Sequence, residues 1–265
     1  MKTRTTILFC AVCAMIPALA SAQGTVEDEG TDFGARVSVE LDKKLAKGLH
    51  LTLEGEARAN ENFSNFGRYQ AGLGMTYKIN SWLRAGAGYV FINKLDTDDG
   101  VWDPRHRFYA DLRGRLQSGY WTFSLKERLQ MTHRGDVNQY QTNPNAMALK
   151  STLKLQYEGF ASVTPYAYTE FRLALNDPLC TATWDGTSYS NYSFGGYNDV
   201  YLNRIRGGLG MEYTLDKHNS FDLYLIGDYV YDKDIDTNKE GTKLKSLTYN
   251  KGFNVNVGFG YKFSF

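Results

Sequence analysis

Cysteine is almost absent from this chain. Of three in 265 residues, Cys10 and Cys13 fall in an apolar N-terminal segment and only Cys180 lies further on, so no internal disulfide can brace the body of the protein. Neither early cysteine follows the small residues of a lipoprotein cleavage site, so lipid attachment is not expected. Proline is scarce, at five residues, which leaves long stretches free to pair as strands. Past the N-terminus no apolar run approaches the roughly 18 to 20 residues that a membrane-crossing helix needs. A membrane location would therefore have to rest on strands. Charge of either sign is not in excess, with Lys+Arg 30 against Asp+Glu 29, so nothing points to nucleic acid as a partner. The mean hydropathy of −0.44 matches a soluble protein, yet it also suits a barrel in which only alternate strand residues meet lipid.

What is present begins with Met1-Lys2-Thr3-Arg4, an apolar run from Ile7 to Leu19 and Ala20-Ser21-Ala22 ahead of Gln23. This is the charged, apolar and small-residue layout of a cleavable export signal. Residues 1–22 are expected to be the signal peptide and 23–265 a single outer-membrane domain.

From Phe33 onward the chain alternates with period two over segments of about ten residues. Between Arg68 and Asn80, Tyr69, Ala71, Leu73, Met75, Tyr77 and Ile79 share one face while Arg68, Gln70, Gly72, Gly74, Thr76 and Lys78 share the other. Similar runs begin near Phe33, Leu49, Trp82, Arg105, Trp121, Ala148, Val163, Val200, Phe221 and Phe253. Short turns at Asn80-Ser81, Gln117–Gly119, Glu158-Gly159 and Asp216–Asn219 alternate with longer polar loops at Asn93–Pro104, Arg134–Ala146, Asn176–Asp199 and Asp232–Asn250. That rhythm predicts an all-β, transmembrane, antiparallel up-and-down barrel of about 10–12 strands, with short periplasmic turns and longer external loops. Twelve is favoured if Gln23–Asp32 adds a strand; the alternative threads that segment through the lumen.

The apolar faces place aromatics such as Tyr69, Tyr77, Tyr89, Phe108, Trp121, Phe171, Tyr213 and Tyr229 toward strand ends, with Leu73, Leu112, Leu125, Leu153, Leu209 and Leu225 between them. Rings sorted to two levels are the girdles of a membrane barrel, and a soluble sandwich has no reason to sort them. The last segment carries Phe259, Tyr261, Phe263 and a terminal Phe265 on one face, and looks like the C-terminal signal read by the outer-membrane assembly machinery. The expected location is therefore the bacterial outer membrane, with outer-membrane lipid, lipopolysaccharide and that machinery as partners, and an external ligand unspecified.

The opposite faces hold the candidate site. Arg105, Arg107, Asp111, Arg113 and Arg115 project inward from one strand, Lys126 and Arg128 from the next, and Glu170, Arg172, Arg204, Arg206 and Glu212 from later strands. Carboxylates at Glu54, Glu56, Asp222 and Asp228 join them. One reading is a salt-bridge network that fills the barrel; the other is a small pore whose basic wall favours anions. Gly72, Gly74, Gly86 and Gly88 form an inward shelf free of side chains, on which arginines or a ligand could lie. Glu127 breaks the pattern by facing lipid, so a bulge, protonation or a partner on a neighbouring strand is expected.

Catalysis is not expected. A lipid-facing hydrolase needs serine beside histidine, and only His106 is well placed, with Phe91 and Met131 as its expected neighbours. Outer-membrane hydrolase remains the remote alternative. The acidic runs Asp96–Gly100 and Asp232–Asn238 lack the glycine and distal glutamate of an EF-hand, so neither metal nor cofactor is expected. The segment holding Trp184, Tyr189, Tyr192, Phe194 and Tyr197 reads either as a recognition surface or as a lid.

Several segments resemble an uncharacterised family of bacterial outer-membrane proteins, catalogued as a domain of unknown function (2490). The residues that carry the resemblance are Gly88-Tyr89, Arg105–Phe108, Lys126–Gln130, Pro165–Phe171, Asn203–Arg206 and Gly208–Tyr213. The resemblance implies a barrel architecture over nearly the whole mature chain and no particular activity. The combined expectation is a non-enzymatic protein with a structural or surface-interaction role, with an anion-leaning small-solute channel as the alternative.

Overall fold

The computed structural model describes residues 24–96 and 100–265. The expected signal segment 1–22 lies outside the described residues, as do residues 97–99 of the first acidic run. The chain forms β1 (Thr25–Ala46), β2 (Leu49–Asn60), β3 (Asn65–Lys78), β4 (Leu83–Asp96), β5 (Val101–Ser118), β6 (Trp121–Arg134), β7 (Asn145–Tyr157), β8 (Val163–Asp177), β9 (Cys180–Trp184), β10 (Tyr189–Phe194), β11 (Asp199–Thr214), β12 (Asn219–Thr237) and β13 (Leu244–Ser264). Eleven of these close a barrel in the order β1-β13-β12-β11-β8-β7-β6-β5-β4-β3-β2, and β9 and β10 form a separate hairpin.

Eleven falls within the expected range, and the odd number has a cause in how the ring closes. Consecutive strands pair antiparallel, whereas β1 and β13 run the same way and pair parallel from Thr25↔Thr248 to Asp42↔Ser264. Residues 25–32 are thus neither a twelfth strand nor a luminal segment: they lengthen β1 along β13. The added stretch contains one irregularity, between Asp28 and Gly30. Gly30 adopts a φ of 75° there, a left-handed conformation that glycine accepts without a Cβ clash.

The short-turn end is built from local polar caps. Asn80 Oδ1 accepts the N–H groups of Trp82 and Leu83 at 2.9 and 2.8 Å, and Asp216 Oδ1 accepts those of His218 and Asn219 at 2.7 and 2.8 Å. Such Asx contacts satisfy backbone donors that a tight reversal leaves without sheet partners. The C-terminus sits at this end, where the Phe265 N–H donates to the Asp42 carbonyl at 2.9 Å.

The outer wall follows the alternation. Val37, Leu53, Leu73, Met75, Leu112, Leu129, Leu153, Leu209, Leu223, Leu225 and Val257 are all exposed, a surface whose stability requires an apolar solvent. Rings gather above and below it. Trp121 packs on Tyr157 and Phe221 on Tyr261 toward the short turns, while Tyr69 packs on Trp102 and Tyr89 on Phe108 toward the other end. Glu127 faces outward without any bulge, since β6 keeps register with β5 and β7 throughout. Its partner is Ser151, directly opposite on β7, whose Oγ donates to the Glu127 carboxylate at 2.6 Å.

At the other end two expected loops prove to be strand. Most of Asp232–Asn250 belongs to β12 and β13, leaving a short reversal from Asn238 to Lys243. The run Asp232-Lys233-Asp234-Ile235-Asp236 alternates polar and buried positions, and Ile235, Leu244 and Leu247 pack beneath Cys180, Ala182, Tyr189 and Tyr192 of the β9–β10 hairpin. The apolar contact makes a strand of a segment whose charges resemble a loop. Asn93–Pro104 likewise shrinks, with β4 running to Asp96 and β5 starting at Val101.

The aromatic segment leans on that extension. Lys233 Nζ binds the Pro178 carbonyl at 2.6 Å, Asp177 at 3.4 Å and Asp199. The β6–β7 loop joins the same cluster through a Tyr140–Phe194 edge contact of 5.5 Å and a Gln141–Asp236 hydrogen bond of 2.8 Å. These contacts tie the hairpin and the β6–β7 loop to the ends of β8, β11, β12 and β13. On the opposite side, a cavity of about 460 Å³ opens among Asp32, Asn60, Gly67, Lys94 and Asn254.

Candidate functional site

Inward positions of the strands assemble two layers of different character. The lower and middle layer is paired. Asp111 of β5 receives Nε and Nη2 of Arg128, its cross-strand neighbour, at 2.6 Å each, the two-pronged geometry in which a guanidinium and a carboxylate fit best. Arg206 of β11 grips Asp228 of β12 in the same way, at 2.5 and 2.9 Å. Arg36 reaches Asp228 from the far side of the seam at 3.2 Å and also donates to Asn256 of β13 at 3.3 Å. Glu170 continues the chain of charges to Lys150 at 3.3 Å and to Arg206 at 3.9 Å. Near the short turns, Arg115 pairs with Glu158 at 2.6 Å.

Tyrosines complete this layer, and each stands opposite a glycine. Tyr109, Tyr168, Tyr166 and Tyr224 are the direct cross-strand partners of Gly88, Gly208, Gly210 and Gly258. A methyl group built at Gly210 would meet the Tyr166 hydroxyl at 2.6 Å, and each of the other three glycines is closed off by its tyrosine in the same way. Each tyrosine fills the space that a side chain at its glycine would need, so the barrel wall itself supplies the socket. The shelf that the sequence offered to arginines or a ligand is taken by Tyr109, whose hydroxyl also covers Gly74. The guanidinium of Arg128 then stacks 3.8 Å from the Tyr109 ring. Tyr166 donates to Asp222 at 2.9 Å and carries Lys154 over its ring at 3.7 Å.

The upper layer, toward the cavity, is short of acid. Arg58 has Glu56, Arg105 has Asp103, Arg68 has only the amide oxygen of Gln70, and Arg107 has only Thr132 Oγ1 at 3.0 Å. The Nε atoms of Arg68, Arg134, Arg172 and Arg204 are buried without a hydrogen-bond partner. Arg107 lies within electrostatic reach of Arg172, Arg58, Arg128 and Arg105, so the layer is cation against cation.

The twelve interior residues expected from the sequence share the parity of the paired inward positions on their strands, but they do not form one network. Asp111, Arg128, Glu170, Arg206, Arg105 and Arg115 have carboxylate or cation partners. Among the described residues, Arg107, Lys126, Arg172, Arg204 and Glu212 form no ion pair. Arg113 has none either, because Arg128 occupies both oxygens of Asp111. Arg36, Lys150 and Asn256 were missed, although Arg36 follows the same alternation within the run that begins near Phe33. The tyrosines were missed as well; their signal was Tyr166-Ala167-Tyr168 against Gly208-Leu209-Gly210.

The outer surface near His106 differs in detail from its expected surroundings. His106 stands between Phe91 and His133 rather than Met131, with its Nδ1 2.7 Å from the Tyr89 hydroxyl. Among the described residues no histidine is hydrogen-bonded to a serine hydroxyl, and no three metal-ligating side chains converge.

A closed strand ring with an apolar exterior, two aromatic levels and a charged interior defines the class of membrane β-barrels. Within it, the chain belongs to the family described as "Protein of unknown function (DUF2490)", whose model matches residues 33–239. No curated protein matches. Among solved structures the chain is similar to the outer-membrane expressed OmpT of Vibrio cholerae, at 12% identity and a TM-score of 0.36, over 81% of this chain and 64% of that one. The chain thus spans a little under two thirds of that neighbour's length.

Proposed function

We propose that this protein is a non-enzymatic barrel of the bacterial outer membrane, exported by cleavage of residues 1–22, with a structural or surface-interaction role and an interior closed to free solute flow. The observation that carries the reading is the burial of the interior charges. Arg36, Asp228, Arg206 and Glu170 expose only 6, 3, 11 and 10% of their side chains, whereas a water-filled pore would bathe them. Lipid and lipopolysaccharide surround the apolar wall, and the strand ending in Phe259, Tyr261, Phe263 and Phe265 addresses the assembly machinery. The cluster of Trp184, Tyr189 and Phe194 outside the mouth is the surface offered to partners.

Conductance of the purified protein in planar bilayers tests the reading. Silence is the expected outcome; reproducible unit currents overturn it. The surplus of arginines in the upper layer favours the second reading, an anion-leaning channel, which requires those currents to carry chloride in preference to potassium.

A further inference from the structure

We propose that the upper layer of the interior is a binding site for a small multivalent oxyanion of the phosphate class, held by Arg68, Arg107, Arg134, Arg172 and Arg204. The site is a buried cationic surplus. The carboxylates nearest the site are committed to other cations, Glu56 to Arg58, Asp103 to Arg105, Asp228 to Arg206 and Arg36, and Glu170 to Lys150 and Arg206. Asp232 accepts from the neutral amide of Asn203 at 3.1 Å and lies within electrostatic reach of Arg134 and Arg204, so a single carboxylate charge faces five guanidinium groups. Guanidinium groups keep their charge in proteins, and buried charge without a counter-charge is strongly disfavoured. Four buried Nε–H donors that meet no acceptor are what a group with several oxygens would satisfy.

The chemistry selects the ligand. Planar guanidinium forks match the oxygen spacing of phosphate and carboxylate and hold them with two parallel hydrogen bonds. The mouth cavity supplies the route, since its wall includes Gly67 and Lys94; Gly67 precedes Arg68 in the chain, and Lys94 is the cross-strand partner of Arg68. Glu29, Asp32, Glu61 and Asp96 also border the cavity, so anions arrive against a repulsion that salt screens. The residues face the lumen, which fits a soluble anion and leaves no room for the acyl chains of a phospholipid. The inference stands whether or not the barrel conducts.

The test uses the full barrel folded in detergent, with sodium pyrophosphate as the probe and sodium chloride at matched ionic strength as the reference. Pyrophosphate is expected to raise the unfolding temperature and to bind at one site by calorimetry. Each arginine removed weakens binding by about tenfold or more, given the strength of hydrogen bonds to charged groups. In the Arg172→Ala/Arg204→Ala double variant the stabilisation should vanish, while the ligand-free variant melts no lower than the native protein because repulsion has been relieved. Arg115→Ala, at the far rim, should retain the full pyrophosphate effect. Absence of any shift with pyrophosphate, phosphate or sulfate overturns the proposal, and so does a shift that survives in the double variant.

Discussion

Replacing Asp228 with alanine removes the group on which Arg206 and Arg36 converge. Two guanidinium groups then remain in an interior where Asp228 and Arg36 expose only 3 and 6% of their side chains, so water does little to screen the loss. Breaking a buried pair from one side costs about 3–5 kcal/mol. Glu170, 3.9 Å from Arg206, offsets a part for one arginine and none for the other, so the upper half of that range applies. At about 2–4 °C per kcal/mol in a chain of this size, unfolding should fall by roughly 10 °C or more. The assay is thermal unfolding in detergent, followed by the gel shift between folded and heated barrel, with Arg113→Ala alongside. Arg113 holds no carboxylate, so its loss should leave stability near native. Equal melting of Asp228→Ala and the native protein would refute the account of the interior, and a large loss in Arg113→Ala would refute the division between paired and unpaired arginines.

Gly88→Ala should destabilise by about 1–3 kcal/mol, because a methyl group there meets the Leu73 carbonyl oxygen at 2.6 Å as well as Tyr109; Gly55→Ala, with nothing within 4 Å, should be neutral in the same urea titration. Glu127→Leu should raise the urea midpoint in lipid vesicles by the equivalent of about 1–2 kcal/mol, since the carboxylate faces hydrocarbon with only Ser151 for company; a fall would show that the acid has a role there. Asp216 is held below the usual carboxyl range by the N–H of His218, then by Asn219. Its contribution to the turn is therefore complete above that range and disappears as pH falls through the lowered value, which amide exchange at His218 and Asn219 should report as faster opening in acid. Epitope tags inserted at Lys239–Gly241 or beside Trp184 should label on intact cells; labelling only after the outer membrane is breached reverses the orientation.

The barrel was legible because its signals are local and repeated. Alternation along Arg68–Asn80 fixes which residues face lipid, and turn chemistry at Asn80 and Asp216 fixes where the chain reverses. The interior faces of Arg105 through Arg115 followed from the same parity. What parity cannot supply is partner choice, which depends on cross-strand register: Arg113 and Arg128 both address Asp111, and only the direct neighbour on β6 wins it. The extension of β12 was hidden for a related reason. Its apolar partners, Tyr189 and Tyr192, come from a hairpin distant in sequence, so its charges read as a loop. The closure of the ring lay furthest out of reach, since Thr25 and Thr248 are paired by the completed barrel and by nothing nearby in the chain.

That closure has a consequence for how the molecule could be rewired. Because β1 and β13 point the same way, Thr25 lies beside Thr248 while Phe265 lies beside Asp42. Sixteen steps of about 3.3 Å separate these places along β13, roughly 50 Å. An antiparallel closure would leave the two ends touching, so that a short linker could join them and the chain be cut anew elsewhere. Here a linker would have to traverse either the tyrosine-filled interior or the hydrocarbon outside, and neither accepts unpaired backbone. Circular permutation is thus closed to this barrel, and a peptide fused ahead of Thr25 leaves the membrane on the face opposite to one fused after Phe265.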